Sequence, residues 1–370
     1  MLENKTIAVV VPAYNEETQI EDVIKEMPGF VDRIVVVNDC STDGTGEIVR
    51  RYLNPESNRA PQITNITGLE ITGRYEQANR ELQKLMIGEM KFFPPSSVVN
   101  GDPENERIIL IDMQCNSGVG AAIARGYKWC KDHGIDCTAV MAGDGQMDPA
   151  ELDRICRPVA VEGIDYVKGN RLIHGSSQLV IPRNRFLGNS ILSILTKLAS
   201  GYWQVSDTQT GYTAISKKAL NAIPLHRIYK KYGMPNDMLV KLNIALCTVR
   251  EVEIKPVYGI GEKSKMEIRK VIPRLSWLLL KSFFKRMWLK YFIRDFHPLF
   301  ILYNMAFILF FLSIPFAVRI LAYYLGDAVG ERPILNSIMF VFLMVSSMQS
   351  LLFAMWMDIQ DNQSLYSRGS

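Results

Sequence analysis

Ile34-Val-Val-Val37-Asn-Asp39-Cys-Ser-Thr-Asp43-Gly44-Thr45 runs four apolar side chains straight into a polar, acid-bearing turn that opens a helix. An apolar run without alternation suits a strand buried on both faces, as in a parallel sheet covered by helices. Similar runs lie at 6–11 (ended by Pro12), at Ile108-Ile-Leu-Ile111 and at Thr138-Ala-Val-Met141. Helical patterns fill the gaps at 17–26, 45–52 and 119–131. The order β-α-β-α-β-α-β over residues 6–141 predicts a doubly wound α/β domain.

Residues 53–107 interrupt this rhythm. They contain a helical pattern at 75–93 with Leu82, Leu85, Met86 and Met90 on one face. Two readings stand for the insertion: a surface excursion, or a lid or oligomer contact. Beyond residue 141, Val167-Lys-Gly-Asn170 ends a further strand, a helix is expected at 186–199 and a strand at 248–257. Asn236 has the chemistry to cap a helix at 237–246.

A net charge of +4 in 370 residues argues for neither nucleic acid nor a strongly acidic partner. The six cysteines are scattered with no C-x-x-C pair, as expected for reduced thiols in a cytosolic domain. The four histidines lie far apart, without zinc-ligand spacing. The apolar run at 7–12 is too short for a secretory leader and is better placed as the first strand.

The last third of the chain changes character. Across 263–297, Lys263, Lys265, Arg274, Lys281 and Lys285 alternate with Trp277, Phe283, Phe284 and Trp288. Such a polybasic, aromatic, amphipathic stretch suits helices lying in a membrane interface. Segments 299–324 and 334–356 are each long and apolar enough to cross a hydrocarbon core of roughly 20 residues. A short connector makes them a transmembrane hairpin; the alternative is a buried core hairpin. The basic stretch outweighs the connector, which has only Arg332, so the positive-inside rule puts the N-terminal domain and the tail in the cytoplasm. The expected domains are 1–262, 263–297 (interfacial), 298–357 (two spans) and 358–370 (tail).

Doubly wound sheets bind ligands beyond the C-terminal ends of their strands. Here those ends read Pro12-Ala-Tyr14-Asn-Glu16, Asn38-Asp39 to Asp43-Gly44, Asn116-Ser-Gly-Val-Gly120 and Gly143-Asp144-Gly-Gln146. Acids from three of them line one cleft, which would repel a diphosphate unless a divalent cation lay between. Oxygen ligands of this kind suit Mg²⁺ or Mn²⁺, which keep few protein ligands beside substrate phosphates. A competing reading takes Gly118-x-Gly120 as the start of a dinucleotide-binding loop, but Ile123 stands where a third small residue is needed.

Val11-Pro-Ala-Tyr-Asn-Glu-Glu17, Asn38-Asp-Cys-Ser-Thr-Asp-Gly-Thr45, Asn116-Ser-Gly-Val-Gly-Ala-Ala122, Gly143-Asp-Gly-Gln146, Gly169-Asn-Arg171 and Asp207-Thr-Gln-Thr-Gly-Tyr212 occur in one order. In that order they resemble a family 2 glycosyltransferase of GT-A fold, which implies a doubly wound mixed sheet, of the branch that makes dolichyl- and polyprenyl-phosphate sugars. The resemblance covers about 260 N-terminal residues, and it extends to the interfacial segment and hairpin. It implies that Pro12, Tyr14, Glu16 and Asp39 surround the nucleotide; Gly143 and Gly145, without side chains on either side of Asp144, would let backbone and phosphate approach closely. It implies Asp144 and Gln146 as metal ligands, and Arg171 and Arg185 near donor or acceptor phosphates. Lys263 and Lys265 would cover the diphosphate. Relatives often carry an acid two residues before Asp144, where this chain has Ala142. Asp237 either orients the sugar or acts as base, or is a first-turn acid stabilising a helix N-terminus.

The function so implied is inverting transfer of a sugar from a UDP- or GDP-linked donor to a polyprenyl or dolichyl phosphate at the cytoplasmic membrane face. Two alternatives are a membrane polysaccharide or glycolipid transferase with a hydroxyl acceptor, and a non-catalytic nucleotide-binding scaffold. The Q-x-x-R-W signature of processive relatives is absent. Membrane lipids are expected partners, nucleic acid is not, and a homo-oligomer is compatible with a membrane hairpin.

Overall fold

The computed structural model describes residues 1–53, 58–68, 73, 76–177, 183–257, 268–325 and 333–368. Two compact units emerge: Met1–Leu280 with Leu365–Ser370, and Lys281–Ser364.

The first unit is built on strands β1 (Ile7–Ala13), β2 (Arg33–Asn38), β3 (Ser96–Val98), β4 (Ile108–Met113), β5 (Cys137–Val140), β6 (Tyr166–Asn170), β7 (Thr213–Ser216) and β8 (Val249–Glu253). Their order is β3-β4-β2-β1-β5-β7-β6-β8. The block β4-β2-β1-β5 is parallel. β7 is antiparallel to both of its neighbours, and β8 pairs parallel with β6. The sheet is therefore mixed, as expected. β7 itself was not foreseen: it is four residues long and follows directly on a polar motif. β3, an antiparallel edge strand inside the insertion, was missed as well; it is short and only partly buried.

Alternation along the central strands explains their continuous apolarity. Val10, Val35, Val37 and Ile111 enter one core layer with Tyr127 of α4 (Val119–Asp132). Val9, Val11, Ile34, Val36 and Leu110 enter the other, with Ile20 and Ile24 of α1 (Ile20–Lys25) and Ile155 and Val159 of α5 (Leu152–Ala160). Both faces are covered, so each Val or Ile contributes on the order of 1.5–3 kcal/mol from burial. α2 (Thr45–Arg51) occupies the expected place. α1 is shorter than expected, because the Glu16 and Glu17 amides donate to Thr45 Oγ1 and Asp43 Oδ2 in a loop.

Within the insertion, α3 (Gln77–Glu89) forms near its predicted place. The flanks of the insertion are built into the sheet edge. Buried Asn58 accepts from the Ile108 amide at 2.7 Å, and Asn100 Oδ1 accepts from the Leu110 amide at 2.7 Å. α6 (Arg183–Ser200) and α7 (Lys217–Ala222) precede α8 (Met234–Ile244). The predicted cap at Asn236 is corrected: Gly233 occupies the N-cap, and Asn236 is buried inside the helix with its amide donating to Thr196 Oγ1 at 2.6 Å. The basic stretch contains α9 (Ile268–Trp288), followed by a π-helical turn, Leu289–Arg294.

The C-terminal residues complete the first unit. Ser367 donates its amide to the Val249 carbonyl at 2.9 Å, and Arg250 Nη2 reaches Ser367 Oγ at 2.9 Å. The tail is thus held along β8.

The second unit contains α10 (Pro298–Tyr324) and α11 (Ile334–Asn362). Both are long and apolar enough to cross a membrane, with only 11% and 22% of their most apolar windows buried. A core hairpin would bury most of that surface, whereas these helices leave most of theirs uncovered. Ser347 Oγ donates to the Ala306 carbonyl at 2.8 Å, joining the helices. Among the described residues, the buried charges of this unit are paired, as burial requires. Buried Arg286 forks onto buried Asp358 at 2.7 and 2.8 Å, and Lys290 pairs with Asp361 at 2.8 Å.

Candidate active site

The parallel strands end at one rim. Pro12 and Ala13 stand opposite Val37 and Asn38, and Asn38 opposite Asp112. Asp39, almost fully buried, donates its amide to the Ala13 carbonyl at 2.9 Å. Its two carboxylate oxygens accept from the Ser117 and Gly118 amides, both at 2.8 Å. One acid therefore fastens the ends of β1 and β2 to the loop after β4. Burial pushes its carboxyl up, and the two amides partly offset the shift. Asn15, at φ +56°, accepts from the Thr42 amide at 2.9 Å and so laces the loop after β1 to that after β2. Pro12 is buried there, with Tyr14 and Glu16 half-buried beside it.

The loop after β5 lies against this rim. The Gly143 amide donates to the Pro12 carbonyl at 3.2 Å, and a Cβ on Gly143 would crowd that oxygen and Ile20 Cδ1 at 3.3 Å. Asp144, half-buried, accepts from the Gln146 amide at 3.1 Å across Gly145, whose φ is +71°. The turn presents one carboxylate and one carboxamide. Among the described residues no cluster of three or more Asp, Glu, His or Cys side chains stands ready for a metal. That donor set fits a hard divalent cation that keeps mostly water and substrate phosphate as ligands, and does not fit a zinc cage.

A third group surrounds Arg171, just past β6. Its Nε and Nη2 fork onto Asp207 at 2.8 and 3.1 Å, and its amide donates to the same carboxylate at 3.2 Å. The Asp207 and Ser206 amides both donate to Glu251 at 2.9 Å. Behind them Lys168 is fully buried, its ammonium donating to the Thr210 carbonyl. Burial pushes Lys168 down to about 8, against the pull of Asp207 and Glu251. Burial is the largest influence on Asp207 and would raise it, but the Arg171 charge and hydrogen bonds together with the Lys168 charge hold the carboxyl below its usual range. The Tyr212 hydroxyl donates to the Asp148 carbonyl at 2.9 Å, tying this group to the Asp144 loop. Asp207, Lys168 and Glu251 carried no role in the sequence reading. The signal was there for Asp207, which opens one of the quoted motifs.

Asp237 sits in the first turn of α8, largely buried. Its carboxylate accepts from the Tyr229 amide at 2.8 Å and from Lys241, so the geometry favours the first-turn, positioning role. Gly118-x-Gly120 is explained by the same segment. The Gly120 amide donates to the Lys230 carbonyl at 2.9 Å, and a Cβ there would meet the Tyr229 carbonyl at 2.1 Å. The chain's own carbonyls cover the start of α4, leaving no open helix end for a dinucleotide pyrophosphate. Arg185 lies on α6, but its side chain is outside the described residues, as are Lys263, Lys265 and Arg332.

Residues 8–69 and 97–223 match the sequence profile of glycosyl transferase family 2. The UDP-N-acetylglucosamine–dolichyl-phosphate N-acetylglucosaminyltransferase of Methanococcus voltae is 27% identical over 256 residues, covering 69% of this chain and 87% of the relative. The undecaprenyl-phosphate mannosyltransferase of Micrococcus luteus is 29% identical over 183 residues, covering 48% of this chain and 73% of that one. Among solved structures, glucosyl-3-phosphoglycerate synthase of Mycobacterium tuberculosis aligns with a TM-score of 0.45 at 20% identity, covering 76% of this chain and 80% of that one. With the family match, the mixed sheet is the GT-A fold that the sequence resemblance implied.

Proposed function

This chain belongs to glycosyl transferase family 2, and from that premise we propose that it moves one sugar from a nucleoside diphosphate to a polyprenyl or dolichyl phosphate. The observation that carries the proposal is the strand-end rim of Asp39, Gly143, Asp144 and Arg171 in a chain with two membrane-length helices. The two named relatives differ in sugar but share a polyprenyl-type phosphate acceptor, which supports that acceptor class and leaves the donor to be measured.

In this reading Pro12, Tyr14, Glu16 and Asp39 border the nucleotide. Asp144 and Gln146 would hold Mg²⁺ or Mn²⁺, which when bound offsets charge on the departing diphosphate. Arg171, held in plane by Asp207, offers its guanidinium to phosphate oxygens. Arg185, Lys263 and Lys265 are proposed to add positive charge there. The acceptor phosphate monoester has a second pKa near ~6 and is largely dianionic at neutral pH, so it needs no general base. Its oxygen attacks C1 as the C1–O bond to the diphosphate breaks, inverting the anomeric carbon. The commitment of the Asp237 carboxylate to Tyr229 and Lys241 agrees with a reaction that needs no base at that position.

The catalytic domain and the tail are proposed to face the cytoplasm. The bond between Ser367 and Val249 supports one side for both, and the basic residues before the first span support the cytoplasmic one. The test is acceptor chemistry. Purified full-length protein is offered UDP- and GDP-sugars with Mg²⁺ or Mn²⁺, and either a short polyprenyl phosphate or the matching polyprenol. A single-sugar lipid from the phosphate alone is expected; transfer to the free alcohol, or a polymer, overturns the reading.

A further inference from the structure

The segment His226–Lys231 and Arg274 line an open hollow of about 620 Å³ in the first unit. Arg227, Lys230, Lys231 and Arg274 are exposed, and among the described residues none of the four has a carboxylate partner. Among the described residues two acids touch its lining and both are committed: Glu89 to His226 at 2.9 Å and Lys131 at 3.4 Å, and Asp237 to the Tyr229 amide at 2.8 Å and to Lys241. The hollow is strongly cationic.

Its borders are apolar. Phe92 and Pro94 line an adjoining crevice that shares His226, Ile228 and Lys230 with the hollow, and the Phe92 ring lies 5.1 Å from that of His226. Phe92 is 65% exposed, and it follows α3, whose Leu82 and Leu85 are 58% and 70% exposed one turn apart. Three residues after Arg274, on the same face of α9, Trp277 is 69% exposed. A hollow made for a soluble anion needs no such flanks. Cations bordered by exposed aromatic and aliphatic side chains match the boundary between anionic head groups and acyl chains. The two membrane-length helices keep a bilayer within reach of this domain.

We propose that this face rests on the bilayer and that the hollow takes the phosphate of an anionic phospholipid. The site goes beyond the sugar-transfer reading, because none of Arg227, Lys230, Lys231 and Arg274 belongs to the donor-side set.

The test uses full-length protein in mild detergent, without any sugar donor. Native mass spectrometry counts bound phosphatidylglycerol and phosphatidylcholine supplied in equal amounts. The wild type is expected to retain the anionic lipid preferentially. Each cation near a bilayer surface is worth roughly fivefold, so K230Q/K231Q should lower that retention about 30-fold and R274Q alone about fivefold. These side chains are exposed, and an unchanged melting temperature verifies the fold of each variant. Equal retention of both lipids, or unchanged retention in both variants, overturns the proposal. Displacement of phosphatidylglycerol by UDP or by a short polyprenyl phosphate would make the hollow a substrate subsite, which also overturns it. So does a dimer whose formation expels the lipid. Because no donor is present, the outcome is independent of whether the sugar-transfer reading survives.

Discussion

At the level of single residues, the rim depends on what its acids hold: Asp39 takes the Ser117 and Gly118 amides, and Asp207 takes Nε and Nη2 of Arg171. Asp39 and Asp144 announced themselves as acids directly after apolar runs. Clamping by Asp207 was hidden because Arg171 and Asp207 lie far apart in sequence. Asp207→Asn should leave Arg171 without its counter-charge and Lys168 with Glu251 alone, costing about 3 kcal/mol of stability, while Arg171→Lys keeps the charge and loses the fork. Thermal melting with kcat and KM for both variants checks this: the first should melt earlier, the second should lose activity at nearly normal Tm. Lys168 gives a pH signature. Its pKa near 8 in the fold lies below the ordinary 10.5, so the unfolded chain binds more protons between those values. Stability from this group is thus present above 10.5 and lost as pH falls through 8. The melting temperature of the wild type should rise relative to Lys168→Met as pH goes from 8 to 10.5; parallel curves would refute the shift.

Elements were legible where burial is two-sided and long. β1, β2 and β4 are continuous apolar runs with a covered face on each side, and pattern alone finds them. β7 was missed because four residues after Asp207-Thr-Gln-Thr-Gly-Tyr212 carry too little pattern, and its direction depends on neighbours far along the chain. The start of α8 was misplaced because Asn236 looks like a cap, whereas tertiary packing buries it against Thr196. Two weak glycines near α4 gained a physical meaning only in three dimensions. Gly120→Ala would push a methyl into the Tyr229 carbonyl, a backbone atom that cannot rotate away. It should destabilise the first unit by about 1–3 kcal/mol and disturb the Asp237 contact to the Tyr229 amide. Chemical denaturation of the full chain checks this, and a variant as stable as wild type would contradict the packing.

For the whole molecule, the membrane-length helices were visible from apolar length alone, and their low burial emerges only in three dimensions. The C-terminal strand contact was invisible, since Ser367 carries no pattern that points to Val249. It predicts that tags on both termini are cleaved together in inside-out vesicles and protected together in right-side-out ones; opposite protection would contradict the topology. The central claim is sugar transfer to a lipid phosphate through the Asp144 turn. Its most direct test is the mass of lipid product formed by wild type and Asp144→Asn, side by side, with Mg²⁺, short polyprenyl phosphate and a panel of UDP- and GDP-sugars. The expected result is a lipid phosphate carrying one sugar from the wild type, with kcat in the variant down on the order of 10²–10³-fold at an unchanged melting temperature. Equal product from both proteins, or no lipid-linked sugar from any donor, would contradict it.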